Sequence, residues 1–183
     1  MTVAHVPGPY VLAAHSNGGL FSLSYASQHP GQVAGLVLID GVHPGYHRRT
    51  LNALKHLIPV EQRPAAWRQL CALPSLQVDW EQLDICRSEA QARAQLRRAP
   101  LRTMPTAVIT HGMPEGPPGQ EQRIMERVWQ RLQVELATME PGSDHIIARR
   151  SGHDIQHTQP RLVLSEIRKV VHAIREGHRT LHW

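Results

Sequence analysis

Apolar residues fall into two alternating patterns along this chain: short unbroken runs, and longer stretches with helical spacing. The first run covers residues 11–14 and breaks at once into His15-Ser16-Asn17-Gly18-Gly19. Residues 20–29 then read as a helix, stopped by Pro30-Gly31. Residues 33–39 are almost continuously apolar, as expected of a strand buried on both faces of a parallel sheet. Two further runs, 106–110 and 144–148, read as strands. Between them lies a helix over 120–139, with Ile124, Val128, Leu132, Val134 and Leu136 among charges and Pro141-Gly142 as its stop. A last helix begins at Pro160, where proline is tolerated, and carries Leu162, Val163, Ile167, Val170, Val171 and Ile174 on one face. Strands alternating with helices predict an α/β fold around a mostly parallel sheet of about four strands.

Between residues 45 and 103 the character changes. Alanine, leucine, glutamine and arginine dominate, and Pro59, Pro64, Pro74 and Pro100 divide the stretch into helices predicted over 48–57, 61–72 and 81–98. Residues 111–119 form a Pro/Gly-rich loop with too many breakers for regular structure. The domain reading is a sheet-bearing core over 1–44 and 104–183, interrupted by a helical insertion over 45–103.

The candidate chemistry begins at Ser16. It stands on a predicted strand-to-helix turn with small residues, Ala14 and Gly18, two positions away on each side. A turn sharp enough to lift one side chain clear of a sheet strains its central residue and crowds those flanking positions. A helix-capping serine needs no such neighbours. The run A-H-S-N-G-G resembles the nucleophile elbow of the α/β-hydrolase family, commonly G-H-S-x-G-G, with Ala14 in place of the first glycine. The following helix and G-L-V-L-I-D, ending at Asp40, are similar to that family's elbow helix and sixth strand. Near the end, Ser151-Gly152-His153, then Gln159-Pro160 and a closing helix, resemble the setting of its catalytic histidine.

The resemblance implies the C-terminal part of an α/β-hydrolase fold, an N-terminally truncated chain that begins in the middle of the usual fold. The first four strands and the loop after the third are missing from the pattern. The strand at 11–14 is then an exposed edge prone to pairing with another chain. The resemblance also places a cap or lid at 45–103 and implies an esterase-like serine hydrolase acting on a small molecule. Ser16 is the expected nucleophile, His153 the base, and the N–H of Asn17 one oxyanion donor, its second donor usually coming from the missing loop. The orienting acid is Asp40 at the tip of the predicted strand, or Glu115 in the frame Gly112-Met113-Pro114-Glu115. His157 and His111 stand behind His153 as alternative bases, His15 packs beside the elbow, and Asp154 lies at the surface. A remnant that binds but does not catalyse is the alternative function.

Composition changes this picture little. The 183 residues suit one domain with a real core. The formal charge is +5, but the arginines occur as scattered pairs (Arg48-Arg49, Arg97-Arg98, Arg149-Arg150) with few aromatics between them, which argues against nucleic-acid binding. No apolar run approaches the length of a membrane span, and no secretory signal opens the sequence. A cytoplasmic protein is expected, with Cys71 and Cys86 as reduced thiols. Neither a metal nor a cofactor is implied, since histidine and cysteine spacings lack a metal-binding pattern.

Overall fold

A computed structural model of the chain describes residues 6–71 and 84–181. Four strands form one all-parallel sheet in the order β1-β2-β3-β4: β1 (Tyr10–His15), β2 (Val33–Ile39), β3 (Thr106–His111) and β4 (Asp144–Ala148). Seven helices flank it among the described residues: α1 (Asn17–Gln28), α2 (Tyr46–Leu54), α3 (Arg63–Cys71), α4 (Ile85–Arg98), α5 (Gln120–Thr138), α6 (Ile155–Thr158) and α7 (Pro160–Arg175). None is long and apolar enough to cross a membrane.

Alternation along β2 and β3 sends side chains into two separate cores. On one face Leu36, Leu38 and Val108 pack with Leu23 and Ala26 of α1 and Leu136 of α5. On the other, Val37, Ile39, Ala107 and Ile109 pack with Ile155 of α6 and Val163 and Val170 of α7. Both faces of the central strands are therefore covered, which explains why 33–39 and 106–110 read as unbroken apolar runs. Gly35 in β2 admits α7 closely: a methyl group there would lie 2.6 Å from Val170 Cγ1.

Within the described residues β1 pairs only with β2, so it is a sheet edge. Because β1 runs parallel to β2, with His15 opposite Ile39, the turn leaving β1 lies beside the residue leaving β2. Ser16 and Asp40 are those two residues. Parallel pairing thus brings both to one end of the sheet, the carboxyl end where open α/β sheets bind ligands.

Between β2 and β3, helices α2 and α4 pack directly on this core. Ala92 of α4 joins Leu20, Val42 and Trp129 in a third buried cluster, and Ser27 of α1 donates to the carbonyl of Ala99. The predicted helix 48–57 is found over Tyr46–Leu54. The predicted 61–72 is found over Arg63–Cys71 after a 3-10 turn at Val60–Gln62, and the predicted 81–98 over Ile85–Arg98. The expected end at 72 and start at 81 lie outside the described residues. Asp84 caps α4, its carboxylate accepting the N–H of Arg87 at 2.9 Å.

Between β4 and α7, Ile155, with no exposed surface, begins the one-turn α6, because burying it against α7 draws the chain inward. One expectation needs correction. Cys71 and Cys86 are not free thiols but form a disulfide, with Cα atoms 5.2 Å apart, joining the end of α3 to the start of α4. A pair of cysteines in separate predicted helices gave no signal of this, because helix prediction does not say which ends meet.

The turn after β1 also shows which small residues are needed. A methyl group at Gly18 would sit 3.5 Å from Ala14 Cβ, an ordinary contact, whereas one at Gly19 would lie 2.8 Å from Gly41 Cα in the backbone after β2. We predict that Gly18→Ala is neutral or stabilising by up to about 1 kcal/mol, as for glycine replacement within a helix. Gly19→Ala should cost about 1–3 kcal/mol through overpacking against rigid backbone. Urea unfolding of the two variants checks the ordering, and equal stabilities would contradict it.

Candidate active site

Ser16 has φ 55 and ψ −125, a backbone conformation that non-glycine residues rarely adopt. Strain of this kind persists only where the surroundings over-determine it. Here the N–H of Ser16 donates to Ile39 O at 3.2 Å, and its carbonyl accepts from Gly19 N at 3.0 Å and Val42 N at 2.9 Å. The last of these ties the turn after β1 to the segment after β2. Ser16 makes no side-chain capping bond to α1. As the first helical residue, Asn17 has a backbone N–H with no intrahelical partner, beside the positive end of the helix dipole.

Asp40 also has positive φ, at 45, and its side chain has no exposed surface. Its N–H donates to Ile109 O at 2.7 Å, which pins it between β2 and β3. Oδ2 lies 2.6 Å from His153 Nδ1 and 2.7 Å from His111 Nδ1. Oδ1 accepts the indole N–H of Trp129 at 2.9 Å and the backbone N–H of His111 at 3.2 Å. Burial would raise the carboxyl pKa, but hydrogen bonds from His111, His153 and Trp129 overcome it and hold the group at about 2, below its ordinary 3.8.

An ionised carboxylate only accepts, so both Nδ1 atoms donate to Asp40. The two imidazoles then differ at their other nitrogen. His111 Nε2 faces both oxygens of Glu126 at 3.1 Å, whereas His153 Nε2 has no hydrogen-bond partner among the described residues. For His153 the bond to Asp40, opposed by burial, raises the pKa above 6.5. For His111, burial lowers it, but the bonds to Asp40 and Glu126 prevail and carry it to about 10.

Ser16, Asn17, His111, Glu115, Glu126 and His153 all border one cavity of about 840 Å3, with Val42, Tyr46, Met125 and Trp129 among its apolar walls. No hydrogen bond joins Ser16 Oγ to His153. Glu115 approaches the histidine differently from Asp40, accepting the backbone N–H of His153 at 2.5 Å and making no bond to its ring. His15 donates from Nε2 to the carbonyl of His153 at 3.0 Å, with ring centroids 4.4 Å apart; burial, then the neighbouring His153, lowers its pKa. Asp154 is exposed and faces His15 at 3.8 Å, and His157 is exposed on α6, outside the cavity. Among the described residues no group of three His, Cys, Asp or Glu side chains is disposed to hold a metal ion.

Sequence reasoning missed Glu126 and Trp129, which contact the acid–base cluster from α5. Their spacing of three puts them on one helix face, but the reading of 120–139 followed only its aliphatic positions. Tyr46, edge-on to Trp129 at 4.8 Å, was likewise outside the predicted helix.

This strand order, the strained serine turn after β1 and the closing helix after the His153 loop define an α/β-hydrolase fold. Mouse alpha/beta hydrolase domain-containing protein 10 is similar in structure, with a TM-score of 0.61 and 23% identity over 93% of this chain and 64% of that one. A carboxylesterase structure from the thaumarchaeon Nitrososphaera gargenis matches with a TM-score of 0.51 and 16% identity, covering 93% of this chain and 67% of its own. In sequence, the chain is 24% identical over 163 residues to an uncharacterized Bacillus subtilis protein, YqjL, covering 89% of this chain and 57% of that protein. The chain therefore spans under two thirds of the length of the mouse and Bacillus proteins. No protein-family model matches it.

The acid–base cluster sets a stability profile. Because the folded pKa of Asp40 is depressed to about 2, its contribution is present above the ordinary 3.8 and lost as pH falls through 2. That contribution is about 2 kcal/mol. The raised pKa of His111 works oppositely, adding stability below its ordinary 6.5 that disappears as pH rises through 10. Urea unfolding across pH should show stability greatest between these limits, with His111→Gln removing most of the alkaline fall. Stability that does not change between pH 7 and 10 in the natural chain contradicts this assignment.

Proposed function

We propose that the protein is a serine hydrolase acting on small, uncharged carboxylic esters or related acyl compounds. Ser16 is its nucleophile, His153 the general base and Asp40 the orienting acid. The observation that carries this reading is the Asp40–His153 contact of 2.6 Å, with His153 Nε2 left without a partner among the described residues at the cavity that Ser16 borders.

In the proposed reaction Ser16 Oγ adds to the acyl carbonyl as its proton passes to His153 Nε2. The N–H of Asn17 and the N-terminus of α1 stabilise the resulting oxyanion. His153 then gives that proton to the departing alcohol, the acyl–oxygen bond breaks, and an acyl-serine remains. Water, deprotonated by the same nitrogen, releases the acid and restores Ser16. Asp40 keeps the imidazole in the tautomer with Nδ1 protonated. Val42, Tyr46, Met125 and Trp129 offer walls for an apolar acyl or alkyl group. In this reading residues 45–103 act as a cap over the cavity, since Tyr46 and His47 of α2 border it.

The test is intact-mass detection of fluorophosphonate labelling, run beside hydrolysis of a p-nitrophenyl ester. We expect one adduct, absent in Ser16→Ala, and a roughly millionfold loss of turnover in that variant. A folded chain that takes no adduct overturns the proposal. The place of β1 at the sheet edge among the described residues supports a further part of it, self-association by strand pairing. Light scattering should show dimers or larger species, and a monodisperse monomer at high concentration contradicts this.

A further inference from the structure

The proposed triad accounts for one of the two imidazoles on Asp40. His111 occupies the same oxygen, Oδ2, at nearly the same distance, 2.7 Å against 2.6 Å. Resting on the triad reading above, we infer that His111 is a positioning residue, cationic across the neutral range and held by Glu126, which limits the basicity of His153 by occupying part of the shared acid's charge.

A carboxyl group at each ring nitrogen favours the charged imidazole. Asp40 Oδ2 can only accept, so His111 Nδ1 carries a proton. Glu126 Oε1 accepts from Gln130 Nε2 at 2.8 Å, and both its oxygens lie 3.1 Å from His111 Nε2, donors that favour the carboxylate over the acid. Burial raises the Glu126 pKa, but the bonds from His111 and Gln130 outweigh it and leave the group below its ordinary value. An ionised Glu126 requires a proton on Nε2 as well, and His111 is an imidazolium. It has no lone pair to offer Ser16, which separates it chemically from His153 although both border the cavity.

The consequence for His153 is electrostatic. A second cation on Oδ2 repels a proton arriving at His153 and opposes the pull of Asp40. The other charged or titratable groups facing His153 are Glu115 and Asp154, which favour its protonation, and His15, whose own pKa is lowered by burial. Those facing His111 are Asp40 and Glu126, with the Trp129 ring stacked 6.1 Å away. Removing the His111 charge leaves Asp40 with one imidazole partner, and His153 then becomes more basic. The base would be protonated, and silent, over a wider range of acidic pH.

The experiment is an NMR titration of the histidine imidazoles in the folded chain, His111→Gln and Glu126→Gln, with the pH dependence of fluorophosphonate labelling measured on the same samples. We expect His111 of the natural chain not to titrate between pH 5 and 9, given a pKa of about 10. In His111→Gln the His153 midpoint should rise by about one to two pH units, with the acid limb of labelling moving alike. In Glu126→Gln, which keeps the ring, His111 should begin to titrate within that window, so the inference can be tested even if His111→Gln does not fold. A natural His111 that titrates near 6.5 overturns the inference, as does an unmoved His153 midpoint in folded His111→Gln. A uniform loss of labelling at every pH, with no midpoint shift, marks a merely structural role and also overturns it. A chain that shows the shifts but never labels removes the hydrolase reading and keeps the inference about His111.

Discussion

A fully buried carboxylate must be compensated, and the packing around the upper end of this sheet follows from how Asp40 meets that requirement. Unpaired, such a charge costs several kcal/mol of lost hydration. Asp40 is compensated by four donors drawn from three separate segments: the ring and backbone N–H of His111 at the end of β3, the indole of Trp129 on α5, and the ring of His153 in the loop after β4. Displacing any of these segments would leave an acceptor unsatisfied in a dry site. The positive φ of Asp40 and the bond from its N–H to Ile109 are part of the same arrangement, aiming the side chain toward α5 and the histidine loop.

The serine turn depends on this arrangement through the backbone. The carbonyl of Ser16 accepts from Val42, two residues beyond Asp40, and Gly19 packs against Gly41 with no room for a methyl group. Gln133 of α5 donates to the carbonyl of Gly41 at 2.8 Å, so the helix that supplies Trp129 also holds the segment on which the turn rests. Strain at Ser16 is therefore maintained by contacts from β2 and, at one remove, from α5. A loosened Asp40 cluster should reach Ser16 by this route as well as through the imidazole.

Much of this was legible in the residues. The strands were, because being buried on both faces leaves an unbroken apolar run at 33–39 and 106–110 with little competing signal. Ser16 stood out because a crowded turn demands small neighbours, although the tightest contact belongs to Gly19 rather than to Gly18. Asp40, at a predicted strand tip, and Glu115 both stood as candidate acids, and the structure puts the Asp40 carboxylate on the His153 ring and the Glu115 carboxylate on the His153 backbone. The second imidazole was less legible. His111 was only an alternative base, because the sequence gives no sign that both its nitrogens face carboxylates. Glu126 and Trp129 were invisible for a related reason: a polar position on a long helix reads as solvated until tertiary packing shows what lies opposite it. The Cys71–Cys86 bond was missed because local pattern does not specify which helix ends meet.

The central proposal is that Ser16 is activated by His153 and that Asp40, and not Glu115, governs that imidazole. The most direct measurement is the rate of fluorophosphonate labelling in Asp40→Asn and Glu115→Gln, with folding of each checked by circular dichroism. The account predicts a loss of about a thousandfold or more for Asp40→Asn, because an amide no longer secures the productive tautomer. For Glu115→Gln it predicts a loss within about tenfold, the worth of one hydrogen bond to a loop N–H. A Glu115→Gln chain that ceases to label while Asp40→Asn labels normally would contradict it.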